Sequence, residues 1–149
     1  MKKENKDKAF NPKSDMIILK TATNYLIPLL LLFSVFVLLR GHYLSGGGFV
    51  GGLIASIAFV LHSFAHTTKE TLTLFRFSPQ TLIPIGLSLS VISGILPVFS
   101  GKSFMTGLWL DTPLAVIGSI GTTLFFDLGV YLVVVGVVLT IMFTIKENV

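Results

Sequence analysis

Apolar residues gather along this chain into four long runs, and the polar residues between them are of kinds that stop or bend a helix. The first run extends from Met16 to Leu39, dense from Tyr25 onward after Lys20, Thr21, Thr23 and Asn24, and it stops at Arg40 and His42. A second begins among glycines at Gly47 and reaches Phe64, where the polar stretch from His66 to Gln80 follows. The third, Leu82 to Phe99, keeps Pro84 and Pro97 near its ends, where a bilayer helix tolerates proline best. Thr122 to Ile145 forms the fourth. A helix crosses a hydrocarbon core of about 30 Å with about 20 residues, so each run has the length of one crossing. The pattern predicts an all-α integral membrane four-helix bundle over residues 16–145, with spans near 16–39, 47–64, 82–99 and 122–145, after a polar tail of residues 1–15.

Between the third and fourth runs, residues 100–121 are apolar in pieces but broken by Lys102, Asp111, Pro113 and several glycines. They are too few for another crossing with its two turns. An interfacial loop with Trp109 at headgroup level is expected, a re-entrant segment being the alternative. No internal repeat marks the chain as two inverted halves of a self-sufficient transporter.

Composition supports a bilayer environment: 52% of the 149 residues are hydrophobic and 12% charged. With no cysteine, disulfides, thiolate metal sites and cysteine nucleophiles are excluded. The apolar run behind the Lys-rich start continues at spanning length, so the N-terminus is read as retained rather than as a cleaved signal. Lys2, Lys3, Lys6, Lys8, Lys13, Lys20, Lys69, Arg76 and Lys146 fall on one side of a four-span topology, Arg40 and Lys102 on the other. The excess predicts that both termini are cytoplasmic. It also accounts for the net charge of +4 through topology and anionic lipid, with no nucleic-acid partner.

Six of the thirteen residues in "GHYLSGGGFVGGL", residues 41–53, are glycine. Gly46, Gly47 and Gly48 open the second span, and Gly51 and Gly52 follow one turn later. Gly47 with Gly51 and Gly48 with Gly52 make overlapping GxxxG spacings, a bare strip of backbone that a neighbouring helix can approach closely. Gly86, Ser90 and Gly94 repeat the device in the third span. The neighbour is either another helix of this chain or another subunit. A nucleotide loop is excluded, because no Lys-Ser or Lys-Thr follows the glycines and no strand precedes them.

Asp127 lies about 8 Å along the fourth span, between Phe126 and Leu128. A carboxylate in a bilayer helix is costly, about 3 kcal/mol at the centre and less near an end, so it faces a partner, water or a proton path. Tyr131, at i+4, is placed to donate to it. Arg40 and His42 end the first span on the same side, and the unpaired N–H groups opening the second span favour an anion. An outer cluster of Arg40, His42, the Gly46–Gly48 backbone and Asp127 is therefore expected, as a structural latch or as part of an ion path. At the opposite end, His62, His66 and Glu70 stand at i, i+4 and i+8, a spacing that permits metal binding but suits a solvated helix end better. Lys20 is either a buried proton carrier or a side chain snorkelling to the near surface. No nucleophile, base and carboxylate assemble, so no enzyme and no cofactor are expected.

The stretches "RGHYLSGGGFVGGL" (40–53) and "LFFDLGVYLVVVGVVLTI" (124–141), with the weaker "GKSFMTGLW" (101–109), resemble the MnhB family, the second of the small subunits in the multisubunit Mrp, or Mnh, sodium/proton antiporters. The likeness covers nearly the whole chain from Met16. It implies a small, non-catalytic member of a hetero-oligomer in the cell membrane, one that moves Na+ out and H+ in at the expense of the proton motive force. Its implied partners are the other Mrp-type subunits, the largest of which resemble proton-pumping subunits of respiratory complex I. Family members usually carry proline just before the triple glycine, where this chain has Ser45; a serine there can still cap a helix. A related gene arrangement in membrane-bound hydrogenases leaves a purely structural helix-packing subunit of such a complex as the alternative, and a self-associating small transporter as a third reading.

Overall fold

The computed structural model describes residues 12–41, 46–66, 70, 71, 73, 78–108 and 121–147. Its long helices are α1 (Pro12–Gly41), α2 (Gly47–Ala65), α3 (Pro79–Phe99) and α4 (Thr122–Glu147). Among the described residues these four are long and apolar enough to cross a membrane. The helix ends have local causes. Gly46 takes a left-handed φ of 110° at the cap of α2, so the chain turns on glycine there, and Ser45 lies outside the described residues. The third helix begins three residues earlier than the hydropathy run, at Pro79, because proline suits the first helical position. It stops at Gly101, whose φ of 70° lets its own N–H reach Val98 O (3.0 Å) while Lys102 N–H reaches Pro97 O (3.1 Å), a Schellman closure.

The helices pack in the order α1, α2, α4, α3. Facing residues of α2 and α4 rise together, Gly48 with Asp127, Gly52 with Val134 and Ser63 with Lys146, so this central pair is parallel. The outer helices run against their neighbours, as shown by Ser34 with Gly51 for α1 and by Gly86 with Gly129 for α3. A small core of Ala55, Val135, Leu139 and Phe143 fills the α2–α4 seam, flanked by Leu31, Phe59, Val60, Leu82 and Tyr131. What α2 buries is mostly glycine, alanine and serine, whereas Leu29, Leu32, Phe33 and Phe36 of α1 are exposed. That inversion is the normal economy of a bilayer helix: large apolar groups are already solvated by lipid, and tight packing comes from small ones.

Residues 102–105 turn back along α3. Met105, at φ 61°, donates its N–H to Gly94 O at 3.1 Å, and Gly94 lies about 7.5 Å below the end of the helix. The chain then reaches α4 through Leu108, which exchanges bonds with Thr122: Thr122 N–H to Leu108 O at 3.0 Å and Leu108 N–H to Thr122 Oγ1 at 3.1 Å. This part of the loop therefore dips beside α3 instead of lying flat at the interface. Trp109, Asp111 and Pro113 lie outside the described residues.

Candidate functional site

The glycine strip serves two neighbours at once. A β-carbon on Gly47 would lie 2.8 Å from the carbonyl carbon of Gly41, and one on Gly51 would lie 3.0 Å from Ser34 O, so this pair faces α1. On Gly48 it would fall 2.8 Å from the carbonyl carbon of Asp127, and on Gly52 2.9 Å from Val134 Cβ and 3.0 Å from Tyr131 O, so the other pair faces α4. The two interleaved GxxxG spacings thus seat α2 between α1 and α4 with backbone in contact on both sides. Gly46, with open space around it, acts through its conformation and not through packing.

The second small-residue stripe also divides. Gly86 lies against Gly129 of α4, where each would set a β-carbon about 2.5 to 2.6 Å from the other's carbonyl oxygen. Ser90 donates to Phe126 O at 3.2 Å. Gly94, however, meets Phe104 and Met105 of the returning loop and not a helix. The matching small residues on α4 are Gly129 and Gly136, the latter against Pro79 O. Neither is evident from four-residue spacing, since seven residues separate them.

Asp127 sits at the end of the α2–α4 seam, only 6% exposed, with its main chain under Gly48. Its carboxyl group is therefore enclosed by protein and does not face lipid. Tyr131 is on the same side of α4 but its proton goes elsewhere. Ser34 Oγ donates to Gly51 O at 2.9 Å and has only one proton, so the 2.9 Å contact between Ser34 Oγ and the Tyr131 hydroxyl is a bond donated by Tyr131. The expected Tyr131-to-Asp127 bond is replaced by a three-helix junction of Ser34, Gly51 and Tyr131. It forms because the bare Gly51 leaves room for the tyrosine ring, whose Cδ2 would be 3.4 Å from a β-carbon there. Ser34, fully buried, had no sequence signal beyond being a lone hydroxyl in an apolar run.

The expected cluster loses its cation. Arg40 is exposed and lays its guanidinium 5.9 Å from the centre of the Phe36 ring, one turn back on α1; among the described residues it makes no ion pair with Asp127. His42 lies outside the described residues. Lys20 is exposed on α1, far along the helix from this site, as a snorkelling side chain would be.

At the opposite end of the seam, His62 is buried and its Nδ1 lies 2.8 Å from Thr71 Oγ1. The rings of His62 and His66 stack at 4.3 Å with planes 11° apart. Among the described residues no three metal-binding side chains converge, so His62, His66 and Glu70 do not make a metal site here: the rings face each other, with no common ion between them. Lys146 of α4 crosses to α2, donating to Ser63 O and, at 3.0 Å, sharing a bond with Ser63 Oγ; its Nζ is 5.9 Å from the centre of the Phe64 ring.

The family model described as a domain related to the MnhB subunit of Na+/H+ antiporter matches residues 18–140. The corresponding Na+/H+ antiporter protein of Bacillus subtilis (strain 168) is 40% identical over 138 residues, a match covering 91% of this chain and 96% of that protein. The putative antiporter protein mnhB2 of Staphylococcus haemolyticus (strain JCSC1435) is 37% identical over 136 residues, covering 90% of this chain and 96% of its relative. Among solved structures, a chain of the Mrp complex from a Dietzia species superposes with a TM-score of 0.71 at 29% identity, over 88% of this chain and 14% of that much longer one.

Proposed function

The chain belongs to the MnhB family of Na+/H+ antiporter subunits, and from that premise we propose that it is a non-catalytic, multi-pass subunit of a sodium/proton antiporter complex in the cell membrane. Its partners are then the other Mrp-type subunits, and the ions exchanged are Na+ outward and H+ inward. Both termini are cytoplasmic in this reading, on the Lys and Arg asymmetry. The contribution to transport is made at the outer end of the α2–α4 seam, where Asp127 holds a proton or meets a cation.

One observation carries this: a carboxylic acid 6% exposed, at the tightest backbone approach in the bundle, within a span that is otherwise apolar. Such a group is expensive to keep in a membrane unless it is used. Asp127→Asn preserves its shape and removes its charge. In complexes reconstituted into vesicles, the variant is expected to assemble at the parental level and to lose sodium-driven proton movement. Retained antiport in a fully assembled Asp127→Asn complex would refute the ion-path role and leave the helix-packing role as the surviving interpretation. Co-purification in mild detergent with very large multi-span chains tests the complex itself.

A further inference from the structure

The seam between α2 and α4 has a second ionisable cluster, at the end opposite Asp127, that the proposed ion path does not use. We infer that the stacked imidazoles of His62 and His66 form a single-proton site, a pair that binds one proton between its two rings and excludes a second.

Three features of the geometry support this. The rings lie face to face at 4.3 Å and 11°, so a charged imidazole on one side rests on the electron-rich face of a neutral one, a favourable arrangement for one positive charge. Two charges at that separation repel, and at an effective dielectric of about 20 this lowers the second binding constant on the order of a thousandfold. Finally, His66 Nδ1 is buried without a hydrogen-bond partner, proton-binding capacity that the fold itself does not consume. His62 has its Nδ1 engaged by Thr71 and is held in place, which leaves His66 to exchange the proton.

The charged surroundings are mixed. Glu70, in the short helical segment that also carries Thr71, is exposed and favours the charged pair. Lys146, brought by α4 onto Ser63, opposes it, and Lys20 is the exposed cation on α1 at this end. Histidine titrates within the working range of a sodium/proton exchanger, so a one-proton pair at this position sets how α2 is charged beside the Lys146 contact. Only that use of the proton rests on the antiporter reading; the site itself does not.

The chain has three histidines, so ring-15N labelling of this protein in the assembled complex resolves each of them. Between about pH 5 and 8, His62 and His66 are expected to take up one proton jointly. His66→Phe, which keeps the stack, is expected to abolish the step, and Lys146→Met to move it to higher pH. Uptake of two independent protons, uptake of none, or persistence of the step in His66→Phe would each overturn the proposal. The antiport–pH curve of His66→Phe is a separate readout: a curve identical to the parent, with the shared step lost, removes the link to transport without touching the proton site.

Discussion

Replacing Gly48 by alanine tests the seam most directly. A β-carbon there would lie 2.8 Å from the carbonyl carbon of Asp127 and 2.9 Å from its α-carbon. The obstruction is main chain, so no rotamer change relieves it, and the two helices must part by roughly 1 Å to restore ordinary carbon contacts. Overpacking of this kind costs about 1–3 kcal/mol, and an unyielding backbone puts it near the upper end. Alanine returns about 1 kcal/mol of helix propensity, which leaves a net loss of about 2 kcal/mol. For a chain of this size that corresponds to a midpoint lower by about 4–8 °C. Gly94→Ala is the internal control, because its new methyl would meet only Phe104 Cε2 at 3.5 Å, an ordinary contact. It should gain up to about 1 kcal/mol and raise the midpoint by about 2–4 °C. Thermal denaturation of the assembled complex in mild detergent, read as retention of this protein in the complex peak, measures both. A Gly48→Ala complex with the parental midpoint, or a Gly94→Ala complex that falls as far as Gly48→Ala, would refute the packing argument.

Ser34→Ala strips both the Gly51 carbonyl and the Tyr131 hydroxyl of their partner and should cost about 1 kcal/mol; Tyr131→Phe removes one interhelical bond and should cost about 0.6 kcal/mol. Unequal stability losses in that order, measured by the same melting assay, confirm the direction of donation. Lys146→Met should speed amide exchange in the last turn of α2, which loses its contact from α4; unchanged exchange at Ser63 to Ala65 contradicts the crossing. Arg40→Ala should alter stability by less than about 0.5 kcal/mol, since its guanidinium covers only an exposed ring. A larger loss would place Arg40 back in the Asp127 cluster.

The spans were legible because the bilayer fixes how many apolar residues a crossing needs, and run length alone reports it. Helix order was not, since hydropathy carries no information on which faces meet. The strip from Gly47 to Gly52 declared a close approach but not that its two pairs address different helices; that follows from the roughly 100° between successive residues, which turns Gly47 and Gly48 to different neighbours. Tyr131 misled for a related reason: i+4 spacing puts it on the face of Asp127, yet a tyrosine is long enough to reach past that face to α1. Arg40 looked like the natural counterion until its own helix supplied an aromatic ring. Gly129 and Gly136 escaped notice because the motif for close packing is usually sought at four residues, and α4 uses seven.

The parallel run of α2 beside α4 has an electrical consequence. Helices laid side by side in the same sense bring their positive starts together and their negative finishes together, which is the unfavourable alignment of two macrodipoles. The shorter partner, α2, has no acidic residue in its first turn, no side-chain cap, and only a histidine in its last turn to offset this. Both compensating charges come from α4: Asp127 at the level of Gly48, and Lys146 on Ser63. Sliding α2 by one turn, about 5.4 Å, would forfeit both at once. Movement of this pair during a transport cycle is therefore confined to rocking or twisting about the shared axis, with axial pistoning ruled out by the charges that α2 borrows.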